Sequence, residues 1–417
     1  MKVVFISNAA PKDFLHECEK KYAKHPMRFV QQWWDYSMAS ALKKKMGDDF
    51  YAISFPPVST FPSGKCIRFK GRNVVDENGF SIYFPPTLNL PFLKQWCQMR
   101  AIKKRLAKIC RENKGEDIVI LTHCIYLQSA KPSFKVRKKY GVRVYTIVPD
   151  LPDHATSVAF NGHSFLKRIY SSYSKMSKNL SRDFDGYVCF SEPQMEYLNK
   201  DKPHIVMEGF IDTTMIEAVS SSERHPNRIV YAGGLMYRYG IKELVDGFIK
   251  ASIPDAELYI YGKGEAEEYI KGKEEKGVYY GGCLSREEVI AQEKSAFILV
   301  NPRPTKDEYS RCSFPSKLME YMATGTPVLT SKLGCIGEEY FDKLSFIEEV
   351  SAGGVAAALQ KCFVQKDELL SRAKIAEKYI KECKNVDSQA GVVADFIKKK
   401  EGAREIDTQE KFVEPCK

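Results

Sequence analysis

Long apolar runs are missing from this sequence of 417 residues. None approaches the ~18 residues that a membrane-spanning helix needs, so no integral anchor is expected. The opening MKVVFIS has no cleavage pattern and is too short for a signal-peptide core. It reads as a buried first strand, and the expected location is cytosolic. Paired cysteines are missing too. All twelve stand singly, with no Cys-x-x-Cys and no Cys/His spacing of a zinc site. This predicts reduced thiols acting as small apolar residues, and no metal site. Neither a Gly-x-Ser-x-Gly elbow nor a dinucleotide fingerprint after the first strand is present. STFPSGKC at 59–66 ends like a phosphate loop but has Ser59 where the first glycine belongs. The Asp-x-Asp at 183–185 precedes its strand instead of following one.

What is present fits a two-domain enzyme. The length exceeds one ordinary core, and 44% apolar with 28% charged residues is ordinary for a globular chain. Charge is unevenly placed. Residues 1–210 hold 34 Lys+Arg against 19 Asp+Glu, a balance of +15, and 211–417 hold 30 against 34, a balance of −4. The basic half is matched either to an anionic partner (a phosphorylated substrate, an anionic lipid surface or nucleic acid) or simply to water.

Short runs apolar on both faces alternate with helical patterns nearly throughout. KVVFIS, FYAISF, DIVILTH, RVYTIVPD and GYVCFS come first, then HIVME, RIVYAGG, AELYIYG, GVYYGG, AFILVN and PVLTS. Such runs are parallel strands covered by helices, and two blocks of them predict an α/β chain with two doubly wound, Rossmann-like domains. The expected division is 1–208, then 209–370, then C-terminal helices at 371–400 packing back on the first domain, then a tail at 401–417.

Ligands of such sheets bind beyond the carboxyl ends of the strands. In the second half those ends are rich in glycine: Gly233 and Gly234 with Arg238 nearby, and Gly262 with Gly264. Glycine lets the backbone approach a ligand, and a following helix offers free N–H groups to phosphate. Each loop alone is equally a tight turn; the succession favours a nucleotide diphosphate. The run SRCSFPSKLMEYMATGTP is the most informative. Pro315 suits a helix start, Phe314 before it is extended, and Gly325 caps the end. Ser316 then opens a helix carrying Lys317 and Glu320 three apart on one face. A cation at that end is unfavourable for the helix dipole unless an anion binds there. With Arg303 on the same rim it forms a candidate diphosphate clamp. The plainer alternative is a Lys–Glu surface pair.

The run NPRPTKDEYSRCSFPSKLMEYMATGTPVLTS, with YAGGLMYRYGIKELVDGF, ELYIYGKGE and VMEGFID, resembles the donor-sugar region of family 4 glycosyltransferases of the GT-B fold. It is most similar to the bacterial capsular, O-antigen and exopolysaccharide branch. The likeness covers residues 200–365 well. QQWWDYSMASALKK and VPDLPD are weaker matches to acceptor-domain segments. The resemblance implies sugar transfer with retention from a nucleotide diphosphate sugar, no cofactor and no metal. It also implies a cleft that closes during reaction. Glu320 matches the second glutamate of the Glu-x7-Glu motif, which holds the ribose hydroxyls, and Lys317 with Arg303 would steady the leaving diphosphate. Two departures stand out. Cys312 occupies the place of the first glutamate, and Gly234 and Tyr239 occupy the places of a basic pair in the glycine loop. Glu308, or Asp307 beside it, is the candidate substitute for the missing glutamate; a solvated acidic loop is the alternative.

In the first half, His123 ends a strand and is a candidate catalytic residue, or else an ordinary satisfied histidine. Asn8, Asp150 and Asp153 also follow strands and are acceptor-side candidates; Asn8 can equally approach the donor phosphates, and for the aspartates turn capping is equally open. The segments at 92–113 and 164–182 are basic amphipathic helices. They can lie on an anionic leaflet near a polyprenyl-diphosphate acceptor, or face the core with a basic outer side. The expected protein therefore moves a sugar to a lipid-linked or glycan acceptor in surface polysaccharide synthesis, peripherally on the inner membrane face, and does not bind nucleic acid. A nucleotide-sugar epimerase or phosphorylase on the same fold is the rival, with a basic nucleic-acid-binding protein behind it.

Overall fold

A computed structural model describes residues 1–27, 29–91, 93–151, 164–220, 223–305 and 308–399. The chain divides into two compact units. Unit 1 comprises Met1–Phe190, Gln194–Glu208 and the segment from Val386; unit 2 holds Ser191–Pro193 and Gly209–Asn385.

Unit 1 is built on β1 (Lys2–Ser7), β2 (Phe50–Ser54), β4 (Arg72–Val75), β5 (Ser81–Phe84), β7 (Ile118–His123), β8 (Arg143–Val148), β9 (Gly186–Cys189) and β10 (His204–Val206), with β3 (Arg68–Phe69) and β6 (Thr87–Leu88) forming a small antiparallel ribbon. The main sheet runs β10-β9-β8-β7-β1-β2-β5-β4 and is parallel except for β4. All six residues of β7 are buried, which is why Ile, Val and Leu can fill both its faces. The HIVME segment, grouped by sequence with the second set of strands, supplies β10 at the edge of this first sheet. Between the strands lie α1 (Lys12–Tyr22), α2 (Val30–Met46), α3 (Leu93–Glu112), α4 (Leu127–Tyr140) and α5 (Ser164–Leu180).

Unit 2 carries β11 (Arg228–Gly234), β12 (Glu257–Lys263), β13 (Val278–Gly282), β14 (Ile298–Asn301), β15 (Val328–Ser331) and β16 (Ser345–Ile347), ordered β13-β12-β11-β14-β15-β16 and all parallel. Its helices are α6 (Thr214–Ala218), α7 (Ile241–Ala251), α8 (Glu267–Lys271), α9 (Arg286–Ser295), α10 (Glu308–Cys312), α11 (Ser316–Ala323), α12 (Ala352–Val364) and α13 (Lys366–Cys383). One core layer joins β11, β12 and β14 to α7 and α12 through Leu244, Phe248, Val355 and Leu359. The opposite layer packs α9 and α11 through Ile290, Leu318, Met319 and Tyr321. The return to unit 1 is made by α14 (Val386–Lys398), where Lys44 of α2 pairs with Asp387 at 3.3 Å; α13 stays with unit 2.

Both sheets reverse their strand order once: between β1 and β7 in unit 1, and between β11 and β14 in unit 2. Doubly wound sheets open a ligand crevice beyond the strand ends at that reversal.

Candidate functional site

At the reversal in unit 2, β11 ends in Gly233 and Gly234, and β14 leads through Pro302 into Arg303. Pro315 is extended and Ser316 opens α11; Gly325 beyond its end has φ +70°. Lys317 in the first turn reaches back over β11. A Cβ placed on Gly233 would lie 2.9 Å from Tyr231 Oη and 3.0 Å from Lys317 Cε, so the lysine stem lies against this glycine. The ammonium sits 5.9 Å from the Tyr321 ring centre, and no ion pair joins it to Glu320 among the described residues. Tyr321 is fully buried and fixes α11 on the sheet: its hydroxyl accepts from Ala232 N–H at 2.9 Å and donates to Ala232 O at 3.1 Å. Phe314 is buried against Tyr340 and anchors the turn before the helix.

Gly262 stands at φ +135°, and a Cβ there would fall 1.8 Å from Gly233 O. The glycine is required because the last residues of β11 and β12 pair backbone to backbone, Gly233 opposite Gly262. Gly264 follows, its N–H donating to Glu267 at 2.8 Å. Gly234 accepts from Tyr231 OH at 2.8 Å and abuts the Tyr239 ring. Tyr239, standing where a basic residue was expected, has two guanidiniums near its ring: Arg238 is 5.2 Å and Arg303 is 5.8 Å from its ring centre. Arg303 is buried and donates to Ser313 O at 3.4 Å. Lys317 thus lies against Gly233, and Arg303 and Arg238 stand near the Tyr239 ring that abuts Gly234. Cys312 is buried, so its sulfur does not offer a solvent-facing substitute for a glutamate. The side chain of Glu308 lies outside the described residues, as does Asp307.

At the reversal in unit 1, His123 ends β7 fully buried. Its Nδ1 is paired with Asp35 of α2, and the second Asp35 oxygen accepts the Asn8 backbone N–H at 2.6 Å. Asp35 therefore ties the ends of β1 and β7 together. Trp34 stacks on the imidazole at 4.6 Å between ring centres and 18° between planes. Burial opposes a charge on His123, and the Asp35 carboxylate outweighs it, holding the imidazole well above its ordinary pKa. The protonated form is thereby favoured; the His123 Nε2 and the Asn8 Nδ2 are both buried with no hydrogen-bond partner among the described residues. Cys124, next in the chain, has φ +63°, a costly conformation for a non-glycine residue. Asp150 is exposed at the end of β8, and Asp153 lies outside the described residues. Asp35 and Trp34 were not singled out from sequence. Their signal was present in QQWWDYSMASALKK, but nothing in its spacing points 88 residues ahead to His123.

Residues 226–363 match the family model of group 1 glycosyl transferases. This is a glycosyltransferase. No curated protein matches the chain in sequence. Among solved structures it is similar to sucrose-phosphate synthase from Thermosynechococcus elongatus, with 15% identity over 95% of this chain and 98% of that one and a TM-score of 0.58. HepE from Anabaena, in complex with UDP, aligns at 13% identity over 95% and 99% with a TM-score of 0.56. A trehalose-6-phosphate protein from E. coli, bound with UDP-2-fluoro glucose, aligns at 11% identity over 96% and 100% with a TM-score of 0.59. These likenesses make the fold GT-B.

The two crevices of this glycosyltransferase offer different chemistry. Unit 2 presents cations and close-approach glycines, suited to a polyanion. Unit 1 presents a buried donor proton, suited to an oxygen that gains charge. Among the described residues no cluster of His, Cys, Asp and Glu has the makings of a metal site, and no helix is long and apolar enough to cross a membrane.

Proposed function

We propose that unit 2 binds a nucleotide diphosphate sugar and that the sugar passes, with retention, to a polyprenyl-diphosphate-linked or glycan acceptor taken by unit 1. The reaction belongs to family 4 chemistry of the capsular, O-antigen and exopolysaccharide kind, needs no metal or cofactor, and runs at the cytosolic membrane surface. The observation that carries the reading is Lys317 laid over Gly233 at the strand-order reversal. UDP and a UDP-sugar occupy two of the similar structures, which supports this class of donor.

In this reading Lys317 and Arg303 neutralise charge on the departing diphosphate. Fixed cations do this without reorganising as the bond breaks, and so stabilise the transition state more than the ground state. Glu320, one turn into α11, accepts from the two ribose hydroxyls. Phe314, Pro315 and Ser316 shape the turn that aims the α11 N-terminus at phosphate. His123 donates from Nε2 to a substrate oxygen, with Asn8 beside it. Glu308 is assigned the sugar contact that Cys312 cannot make, and Asp150 with Asp153 the acceptor hydroxyls. No nucleic acid takes part.

A thermal-shift screen with UDP-, GDP- and dTDP-sugars tests the donor assignment. One nucleotide should raise Tm, by about 2.7 kcal/mol of apparent stability at a hundred times its Kd. Glu320→Ala should abolish most of that shift. No shift with any nucleotide would sink the assignment, and product analysis separates transfer from epimerisation.

A further inference from the structure

Glu293 is a carboxyl with no place in the chemistry above. It lies near the end of α9, where α9 packs on α11, and its side chain has no solvent exposure. Both carboxyl oxygens are buried without a hydrogen-bond partner among the described residues. Its backbone is held firmly: Glu293 O accepts from Thr326 Oγ1 at 2.9 Å, which ties this turn to the loop leaving α11. The groups that act on it are Glu320, Lys317 and Tyr321 of α11, and Arg286 of its own helix. A buried carboxyl in an apolar layer costs more ionised than neutral. Here burial comes first and the Glu320 charge second in opposing ionisation. Lys317 and Arg286 only partly offset them, and the pKa is pushed up to about 8.

We propose that Glu293 is a positioning residue of the donor site: buried in the layer shared by α9 and α11, it carries a proton next to the helix that bears Lys317 and Glu320, so that donor binding and proton uptake are coupled. The inference rests on the donor reading of unit 2. While neutral, Glu293 leaves the full charge of Lys317 to the diphosphate and adds no repulsion to Glu320. Ionised, it sets a second anion against both Glu320 and the incoming phosphates, and draws on Lys317. Linkage makes this reciprocal: a bound diphosphate raises the proton affinity of Glu293, and a deprotonated Glu293 weakens the diphosphate. The step is a proton taken from solvent with no bond made to the nucleotide.

The test uses the full chain and three probes, UDP, GDP and dTDP, measured by titration calorimetry at pH 7 and pH 9. With the tightest probe, affinity should fall roughly three- to tenfold over that interval. At pH 8, runs in two buffers of different ionisation enthalpy should show net proton uptake on binding. That second measurement needs only the wild-type protein. In Glu293→Gln the uptake at pH 8 should vanish and the fall in affinity should flatten. Binding without proton uptake in the wild-type protein overturns the inference and leaves the donor reading standing. Uptake of the same size in Glu293→Gln also overturns it. Failure of all three probes to bind at pH 7 instead removes the donor reading, and the inference with it.

Discussion

The strand-order reversal of unit 1 is furnished with a buried His123–Asp35 pair under a stacked indole, whereas that of unit 2 is furnished with glycines, Lys317 and Arg303. Both crevices come from one architecture, parallel strands that reverse their order once. The backbone therefore supplies a place, and a few side chains at the strand ends decide its use. In unit 1 the decisive feature is a proton held in low dielectric by a carboxylate from a distant helix. In unit 2 it is close approach: the ends of β11 and β12 pair backbone to backbone, and a lysine lies against Gly233.

The comparison predicts that unit 1 is more vulnerable to loss of one charge. Asp35→Ala strands His123 in the core, which should cost about 3–5 kcal/mol in urea unfolding. Joining it to His123→Leu should recover at least about 1 kcal/mol relative to the sum of the single effects. The pH sign follows from the raised imidazole pKa. The pair's contribution is fully present below the unfolded value near pH 6.5 and is lost as pH rises through the higher folded value. Asp35→Ala should remove that slope. Strictly additive losses would mean that the two side chains do not act as a pair.

Unit 2 should break through shape. Gly262→Ala places a methyl 1.8 Å from Gly233 O at φ +135°, so the paired ends of β11 and β12 must separate. The expected loss is about 2–4 kcal/mol, together with the nucleotide-induced Tm shift. Retained stability and retained shift would show that the close pairing of Gly233 with Gly262 does not shape the site around Lys317.

The contrast also explains what could be read in the sequence. Unit 2 was legible because its site is local: strand, glycine loop and helix start follow one another, so Gly233, Gly262, Pro315 and Lys317 announce themselves by chain position. Their mutual contacts were not legible, because Gly262 is separated from Gly233 by α7 and a strand. The strand list was readable wherever both faces are buried. The β4–β5 hairpin was missed because exposed Arg72, Asn73 and Val75 give β4 no apolar signal. In unit 1, His123 stood out at its strand end, but Asp35 is one acid in a helix of mixed composition. Only the fold brings it under β7. Glu293 was hidden for a like reason: in EEVIAQEKS it is one of several glutamates, and burial alone sets it apart.

The smallest effect concerns the surface of unit 1, where the excess of basic residues lies. Helical spacing puts Leu93 and Trp96 on one stripe of α3 with Ile102, Leu106 and Ile109. The structure splits that stripe: the last three are buried, while Leu93 is 44% and Trp96 is 51% exposed. The Arg100 guanidinium stands 4.7 Å from the Trp96 ring centre. An exposed indole beside arginine is the arrangement that seats a helix at an anionic lipid surface, and unit 2 is acidic overall. Trp96 is half-exposed and lies outside the buried stripe of α3, so Trp96→Ala should cost no more than about 1 kcal/mol of stability. Binding to vesicles containing anionic lipid, read by co-sedimentation, should nonetheless weaken roughly tenfold. Equal vesicle binding by both proteins would assign the basic half to solvation and to its phosphorylated substrates alone, and would narrow the difference between the units to their crevices.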